Sequence, residues 1–245
     1  MTTPRSNSLF SRIGAAEPAP PWGLETVALT LVVSFLALIV GTFAAVALVT
    51  EADFAPLLGW IIGAAFIILF IVQSRRRDGE ALRLNPSATP YPFILFIGVG
   101  FAIAFDILAL GVSGAFLPMP ELLGLNLADV GVVDWVLAFA FMVIAQPVAE
   151  ELVFRGVAFP ALRATFGAWA GLIVTALLYA AFHLLAYGAP AGEARATLMY
   201  GLIVPFLAGL VIGAVRAYTG STRAAMVAHA AFGLFAVIKL IMLVG

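Results

Sequence analysis

The sequence is dominated by apolar runs of the length that a membrane-crossing helix requires. Such a helix needs about 20 mostly apolar residues, since each residue adds about 1.5 Å along the helix axis. Seven runs meet this requirement: 26–49, 55–73, 92–115, 133–154, 168–188, 197–215 and 225–244. We therefore predict an all-α fold, a polytopic transmembrane helical bundle of about seven spans, with eight as the alternative if a segment has been missed.

Composition narrows the class of protein further. Hydrophobic residues make up 64% of the chain and charged residues only 10%, whereas soluble domains are about 25% charged. The net charge of −1 provides no general attraction for nucleic acid. The absence of cysteine excludes disulfides and thiolate metal sites. The expected partner is the lipid bilayer, and no nucleic-acid partner is expected.

The chain divides into three predicted parts. Residues 1–21 are polar and proline-rich, which is typical of a flexible tail. Residues 22–131 contain the N-terminal transmembrane helices. Residues 132–245 contain the helices that carry an unusual set of polar side chains.

Basic residues are concentrated in the connections on one side of the predicted bundle. Ten of the twelve Lys and Arg residues follow this pattern, namely Arg5, Arg12, Arg75, Arg76, Arg77, Arg83, Arg155, Arg163, Arg216 and Arg223. The opposite connections carry acidic residues, namely Glu51, Asp53, Glu121, Asp129, Asp134 and Glu193. Because basic connections stay in the cytoplasm, we predict a protein of the inner (plasma) membrane with a cytoplasmic N-terminus.

Few ionisable residues lie inside the apolar runs, where each is costly and needs a reason. Glu25 and Lys239 lie near helix ends, where a side chain that reaches the membrane surface explains them. Asp106 is deeper in its run. A structural role, either lining a cavity or pairing across helices, is favoured for Asp106 over catalysis.

The fourth run carries Glu150, Glu151 and Arg155. On a helix, residues four apart share a face, and adjacent residues point about 100° apart. Glu151 and Arg155 are therefore expected to form an ion pair, whereas Glu150 shares its stripe with Gln146. A partly desolvated carboxylate without a counter-charge is suited to act as a general base. An ion-pair network at a helix end is the structural alternative.

The only two histidines of the chain lie in two further apolar runs. His183 follows Tyr179 by one turn, and His229 precedes Gly233 by one turn. A lone histidine in such a helix is more often a packing residue than a ligand. Two histidines and a spare glutamate on three helices, however, supply the groups that activate a water molecule and polarise a carbonyl.

These motifs resemble those of the CPBP/Abi family, the CAAX-prenyl endopeptidase and bacteriocin-processing group of intramembrane proteases. The family pattern is Glu-Glu-x-x-x-Arg, then aromatic-x-x-x-His, then His-x-x-x-Asn, each on a separate transmembrane helix. In this sequence the three motifs read EELVFR, YAAFH and HAAFG. The resemblance covers residues 135–240, and it implies that the C-terminal unit is a catalytic, CPBP-like transmembrane domain.

The resemblance implies an intramembrane endopeptidase with assigned residue roles. Glu150 and His183 would activate water, and His229 would stabilise the oxyanion. Glu151 and Arg155 would organise the site. The implied substrate is a membrane-associated peptide or protein, lipidated substrates included, and the implied cavity opens toward the cytoplasm.

Two positions depart from the family pattern. Tyr179 stands where phenylalanine is usual, and Gly233 stands where asparagine is usual. Glycine cannot donate a side-chain hydrogen bond, and the loss of one oxyanion donor costs on the order of 10²–10³ in rate. The glycine therefore motivates an alternative, a catalytically weak or inactive membrane scaffold or immunity protein. A third alternative is a proton-coupled transporter that uses Asp106, Glu150 and the histidines.

The same side chains raise the question of a metal. Glu150, His183 and His229 have the chemistry of a zinc or other divalent metal site. The two histidines are far apart in the sequence, so a local metal-binding motif is not present. We predict that no cofactor is obligatory, with zinc as the alternative.

Overall fold

The structure is a computed structural model, and it describes residues 8–49, 53–188 and 194–244. Within these ranges all regular secondary structure is helical. Three of the residues used to predict the membrane orientation, Arg5, Glu51 and Glu193, lie outside the described ranges.

Seven helices of the described residues are long and apolar enough to cross a membrane. They follow a short helix, α1 (Leu9–Ile13). The seven are α2 (Leu24–Leu48), α3 (Ala55–Ser74), α4 (Tyr91–Ser113), α5 (Val132–Phe166), α6 (Ala168–Ala186), α7 (Ala194–Thr219) and α8 (Thr222–Val244). The predicted class, an all-α polytopic membrane bundle, is confirmed, and the protein is a multi-pass membrane protein. The predicted division into a tail and two helical units stays a prediction.

Helix α5 is much longer than the predicted span 133–154. Its α-helical parts, Val132–Phe139, Gln146–Glu151 and Phe159–Phe166, alternate with π-helical parts, Ala140–Ala145 and Leu152–Ala158. Helix α5 also contacts α2, α3, α6 and α8. Its central position keeps most of its polar residues away from lipid.

A proline follows each π-helical part by two residues. Pro147 and Pro160 do so in α5, and Pro205 follows the π-helical part Met199–Ile203 of α7. Proline lacks an N–H group and its ring crowds the preceding turn. The wider π turn accommodates this, and such turns occur frequently at functional sites. Glu150 and Glu151 lie in the short α-helical part between the two π-helical parts of α5.

Three arginines that the charge pattern assigned to connections lie inside helices instead. Arg155, Arg163 and Arg216 are 0%, 7% and 0% exposed. The prediction that the fourth span ends before Arg155 is wrong, because Arg155 pairs with Glu151 inside the helix and therefore does not have to leave it. Among the described residues, the exposed arginines on this side of the bundle are Arg12, Arg76, Arg77 and Arg223.

Residues 8–21, predicted to be part of a flexible tail, are bonded to the bundle. Arg163, near the end of α5, donates to the carbonyl oxygens of Ile13 (3.0 Å) and Ala15. Arg216, near the end of α7, binds Glu17 through both terminal nitrogens, at 3.1 and 3.3 Å. Buried charged groups need such partners, so the two arginines account for the position of this segment.

Asp106 on α4 forms a buried ion pair with Lys239 on α8. The predicted pairing of Asp106 across helices is confirmed. The prediction that Lys239 reaches the membrane surface is wrong, since the residue is only 5% exposed. The hydroxyl of Tyr200 lies 3.5 Å from the same carboxylate oxygen of Asp106. In lipid, pairing inside the bundle replaces the water that Lys239 would otherwise have to reach.

The connection between α4 and α5, residues 114–131, folds against one end of the bundle. We call it the cap segment. Its 3₁₀ turn Pro120–Leu122 is entirely buried. Leu122 packs with Leu57, Phe141 and Leu240 in one apolar cluster. The cap segment therefore covers the end of the bundle at which α3 begins and α8 ends.

Candidate active site

Glu150 and His183 face each other inside the bundle. Glu150 Oε2 lies 3.6 Å from His183 Nε2, and both residues are buried. His183 Nδ1 lies 3.1 Å from the carbonyl oxygen of Tyr179. Because a carbonyl can only accept, Nδ1 carries the hydrogen, and Nε2 of the neutral ring presents its lone pair. Two acceptor atoms thus face each other at a distance that a water molecule, with hydrogen bonds of about 2.8 Å, can bridge.

The other carboxylate oxygen of Glu150 is held by two donors. The hydroxyl of Tyr187 donates to Glu150 Oε1 at 2.6 Å, and the amide of Gln146 donates to it at 3.3 Å. The predicted proximity of Gln146 and Glu150 on one stripe of the helix is confirmed. With Oε1 held, Glu150 Oε2 is left without a hydrogen-bond partner among the described residues.

Glu151 and Arg155 form the predicted ion pair within α5. Arg155 Nη1 lies 3.0 Å from Glu151 Oε1, and both side chains are 0% exposed. Arg155 Nη2 also donates to the carbonyl oxygen of Gly209 on α7 at 2.7 Å. Its guanidinium lies 4.8 Å from the centre of the Tyr179 ring. Through these contacts the pair links α5 to α7 and to α6. Removing one partner of a buried ion pair costs about 3–5 kcal/mol.

His229 joins the same cluster from α8. Its Nδ1 lies 2.9 Å from Glu151 Oε1, its Nε2 lies 3.2 Å from the hydroxyl of Tyr179, and Nε2 is 3.9 Å from Glu150 Oε2. The structure therefore brings the five predicted site residues together in one cluster, namely Glu150, Glu151, Arg155, His183 and His229. Their catalytic roles stay predictions.

Glu121 is a member of the cluster that sequence reasoning missed. The cap segment places Glu121 Oε1 at 3.5 Å from His183 Nε2 and 3.2 Å from Gln146 Nε2, and Glu121 is only 6% exposed. The sequence assigned this residue to a connection on the acidic side. The one available signal was its apolar setting in PMPELLGL, which is unusual for a solvent-exposed loop. Tyr187 was missed as well, and nothing in its sequence context distinguished it.

A cavity of about 50 Å³ lies among these side chains. The residues around it include Glu121 of the cap segment, His183, His229 and Tyr179. A water molecule needs about 10–15 Å³ of such space. The cavity is large enough for water but too small for a peptide, so a substrate requires the surrounding helices or the cap segment to move.

Gly233 is a point of close contact between α8 and α5. A Cβ atom at this position would overlap the carbonyl oxygen of Met142 and would lie 2.6 Å from the carbonyl carbon. Small residues allow such close approach of helices in membranes. A side chain at residue 233, asparagine included, is excluded while the two helices keep this spacing.

The residues present do not converge on a metal position as they stand. Among the described residues, the structure has no group of three or more His, Asp and Glu side chains arranged to hold a metal ion. Both ring nitrogens of His229 are engaged with protein groups, Glu151 and Tyr179. Nε2 of His183 is contacted by the amide nitrogen of Gln146 at 3.4 Å and faces, at 3.6 Å, the oxygen of Glu150 that has no partner among the described residues, and a zinc site needs at least three protein ligands.

The fold and the site define a polytopic membrane protein with a buried glutamate–histidine centre that is suited to activating water. Residues 132–235 match the family model described as type II CAAX prenyl endopeptidase, Rce1-like. For this segment the match confirms the family resemblance seen in the motifs. Neither the comparison with curated proteins nor that with solved structures gives a match. Glu121 lies outside the matched segment.

Proposed function

We propose that this protein is an intramembrane endopeptidase that hydrolyses a peptide bond of a membrane-associated peptide or protein, as a CAAX protease does. One observation carries the proposal. Glu150 Oε2 is buried, has no hydrogen-bond partner among the described residues, and faces His183 Nε2 at 3.6 Å. A carboxylate oxygen in this position needs a hydrogen-bond donor, and a water molecule is the donor that hydrolysis requires. The family match over residues 132–235 supports the same reaction.

In the proposed mechanism a water molecule donates one hydrogen to Glu150 and the other to His183. A lone pair of its oxygen is then free to attack the carbonyl carbon of the substrate. Glu150 takes the proton as the new bond forms, and the carbonyl electron pair moves onto the oxygen. His229 stabilises the resulting oxyanion. Glu150 returns the proton to the leaving amine as the C–N bond breaks, and the second hydrogen of the water stays on the product, which releases a carboxylic acid and an amine.

The substrate is proposed to reach the site from the bilayer. The cavity among the site residues measures about 50 Å³, so part of the bundle has to open before a peptide can enter. A membrane-associated substrate, lipidated peptides included, is already concentrated where α5 to α8 cross the bilayer. This restricts the proposal to substrates that lie in or on the membrane.

The proposal is tested by comparing the membrane proteomes of cells that carry different variants. Glu150→Gln and His183→Ala should both abolish the appearance of a C-terminal fragment that wild-type protein produces. Glu25→Gln removes an exposed carboxylate at the start of α2, and it should leave the fragment unchanged. If both site variants release the fragment at the wild-type rate, the protein is not this protease, and a scaffold or immunity role of the same fold becomes the better account.

We further propose that hydrolysis needs no obligatory metal. The proposal rests on the bonding of His229, whose two ring nitrogens both contact protein groups, and on the facing pair of Glu150 and His183. Purified protein treated with a strong chelator should retain its cleavage rate. A loss of activity that stoichiometric zinc restores would contradict this.

The orientation is also a proposal, namely a plasma-membrane protein with its N-terminus in the cytoplasm. The chain has no cysteine, so single cysteines can be introduced without further changes. On intact cells, a membrane-impermeant maleimide should label Leu123→Cys, in the cap segment, and should not label Arg76→Cys until the membrane is broken. Both positions are exposed, so the opposite labelling pattern would show the reverse orientation.

A further inference from the structure

The hydroxyl of Tyr179 ends a chain of hydrogen bonds that leads from a buried ion pair to the cavity. Arg155 binds Glu151 at 3.0 Å, Glu151 contacts Nδ1 of His229 at 2.9 Å, and Nε2 of His229 contacts the Tyr179 hydroxyl at 3.2 Å. Tyr179 is 2% exposed, and it is one of the residues around the cavity. Its ring packs against His183, with 4.1 Å between the ring centres. A phenylalanine could make these ring contacts, so packing does not account for the hydroxyl.

The direction of these hydrogen bonds follows from the chemistry of the groups. Glu151 is paired with Arg155 and therefore acts only as an acceptor. Nδ1 of His229 must then carry a hydrogen, and Nε2 of the neutral ring is an acceptor. The Tyr179 hydroxyl consequently donates to Nε2. The cluster thus holds one strong donor, an O–H group, at the wall of the cavity in which a substrate carbonyl would react.

The backbone around Gly233 shows why this donor is not supplied by α8. A side chain at residue 233 would meet the backbone carbonyl of Met142, and a backbone group cannot rotate away as a side chain can. Because α5 and α8 are in contact at Gly233, α8 has no room for a donor side chain at this position. The Tyr179 hydroxyl, on α6, is instead the neutral donor that lies beside His229.

We propose that the Tyr179 hydroxyl is the oxyanion donor of this part of the active site, and that His229, whose Nε2 carries no hydrogen, contributes by holding this hydroxyl in place. This inference rests on the proposed hydrolase activity. When water attacks the substrate, the C=O electron pair moves onto the carbonyl oxygen, which becomes an alkoxide. An alkoxide is a stronger hydrogen-bond acceptor than a neutral imidazole nitrogen. The Tyr179 O–H turns from His229 Nε2 to the alkoxide and keeps its proton. When the C–N bond breaks, the carbonyl re-forms and the hydroxyl returns to His229.

Tyr179→Phe tests the proposal because it removes the hydroxyl and keeps the ring. With the substrate peptide identified from the proteome comparison, kcat should fall on the order of 10²–10³-fold, the usual cost of one oxyanion donor, while KM changes little. Tyr218→Phe is the matched control, since it removes a hydroxyl in the last turn of α7, where Tyr218 packs against Arg12, and it should cleave at the wild-type rate. Thermal unfolding of the purified variants checks that Tyr179→Phe remains folded.

A second measurement separates an oxyanion donor from a packing residue. A phosphinic peptide, which carries the charged tetrahedral group of the intermediate, should bind Tyr179→Phe at least 10-fold more weakly than wild type. The uncleaved substrate should bind equally to Glu150→Gln and to Glu150→Gln with Tyr179→Phe. Equal weakening of both ligands, or a wild-type kcat in Tyr179→Phe, overturns the inference. A cleavage rate that does not depend on Glu150 instead overturns the proposed function, so the two failures are distinguishable.

Discussion

Replacing Gly233 with alanine tests how closely α5 and α8 are packed beside the site. A Cβ atom at this position would overlap the carbonyl oxygen of Met142 and would lie 2.6 Å from its carbonyl carbon, where ordinary contact begins at 3.4 Å. The carbonyl carbon alone would require the two backbones to separate by about 0.8 Å, the difference between these distances, and the nearer oxygen requires more. A gap of that size forfeits about a quarter to a half of the dispersion energy of the atoms that line it.

The expected cost is the cost of overpacking, about 1–3 kcal/mol, and we expect the upper part of this range because the obstacle is backbone. Gly100 on α4 is the matched control, since a Cβ atom there meets nothing within 4 Å. Alanine in place of a mid-helix glycine stabilises by about 0.5–1 kcal/mol. Both alanine variants gain this stabilisation, so they should differ by the overpacking cost alone, about 2–3 kcal/mol, on the order of 4–12 °C in unfolding midpoint for a chain of this size.

Thermal unfolding of the purified variants in one detergent measures the difference, and cleavage of the substrate measures its effect on the site. Gly233→Ala should also lose activity, because separating α8 from α5 moves His229 away from Glu151. Gly233→Asn should be at least as unstable as Gly233→Ala. If Gly233→Ala unfolds at or above the midpoint of Gly100→Ala, the helices do not have the spacing described above, and the explanation of the glycine is wrong.

Two further predictions concern buried carboxylates. Asp106→Asn leaves the charge of Lys239 buried without a partner and should cost about 3–5 kcal/mol, whereas Asp106→Asn with Lys239→Met should recover most of the loss; equally low unfolding midpoints for both would refute this. Glu121→Gln removes the charge from the hydrogen bond that Gln146 donates to Glu121; a bond of this kind is worth about 1.5–3 kcal/mol, and its loss should lower kcat about 10-fold or more. Asp129→Asn, at an exposed position of the cap segment, is the control and should leave kcat unchanged. Faster cleavage by Glu121→Gln would show that Glu121 blocks the site instead of supporting it.

The residues on α5, α6 and α8 could be predicted from the sequence because lipid makes charged groups conspicuous. Glu150, Glu151 and Arg155 stand out in an apolar run, and the spacing of four residues alone pairs Glu151 with Arg155. The two histidines needed one further assumption, that three helices bring their polar groups together. The structure shows this assembly, with His183 and His229 both within 4 Å of Glu150 Oε2, at 3.6 and 3.9 Å.

The residues that escaped prediction depend on how connections fold, and helical periodicity does not report on this. Glu121 reaches His183 only because the cap segment buries its 3₁₀ turn among Leu57, Phe141 and Leu240. The ends of α5 were missed for a related reason. Arg163 looked like a membrane boundary because its partners, the carbonyls of residues 13 and 15, lie in the N-terminal segment, which the sequence did not place. The Glu151–Arg155 pair was predicted from the spacing, but it does not by itself show that the helix continues beyond Arg155.

The two departures from the family motif are connected through the packing of α8. A glycine at residue 233 lets α8 contact the backbone of α5 at Met142, and at this separation His229 reaches Glu151 at 2.9 Å. The same placement of His229 brings its Nε2 to 3.2 Å from the Tyr179 hydroxyl, a contact that phenylalanine could not make. A larger residue at 233 would move His229 away from both partners, whereas a phenylalanine at 179 would leave its Nε2 without this donor. Tyrosine at 179 and glycine at 233 are therefore expected to depend on each other, and substitutions at the two positions should be strongly non-additive in kcat.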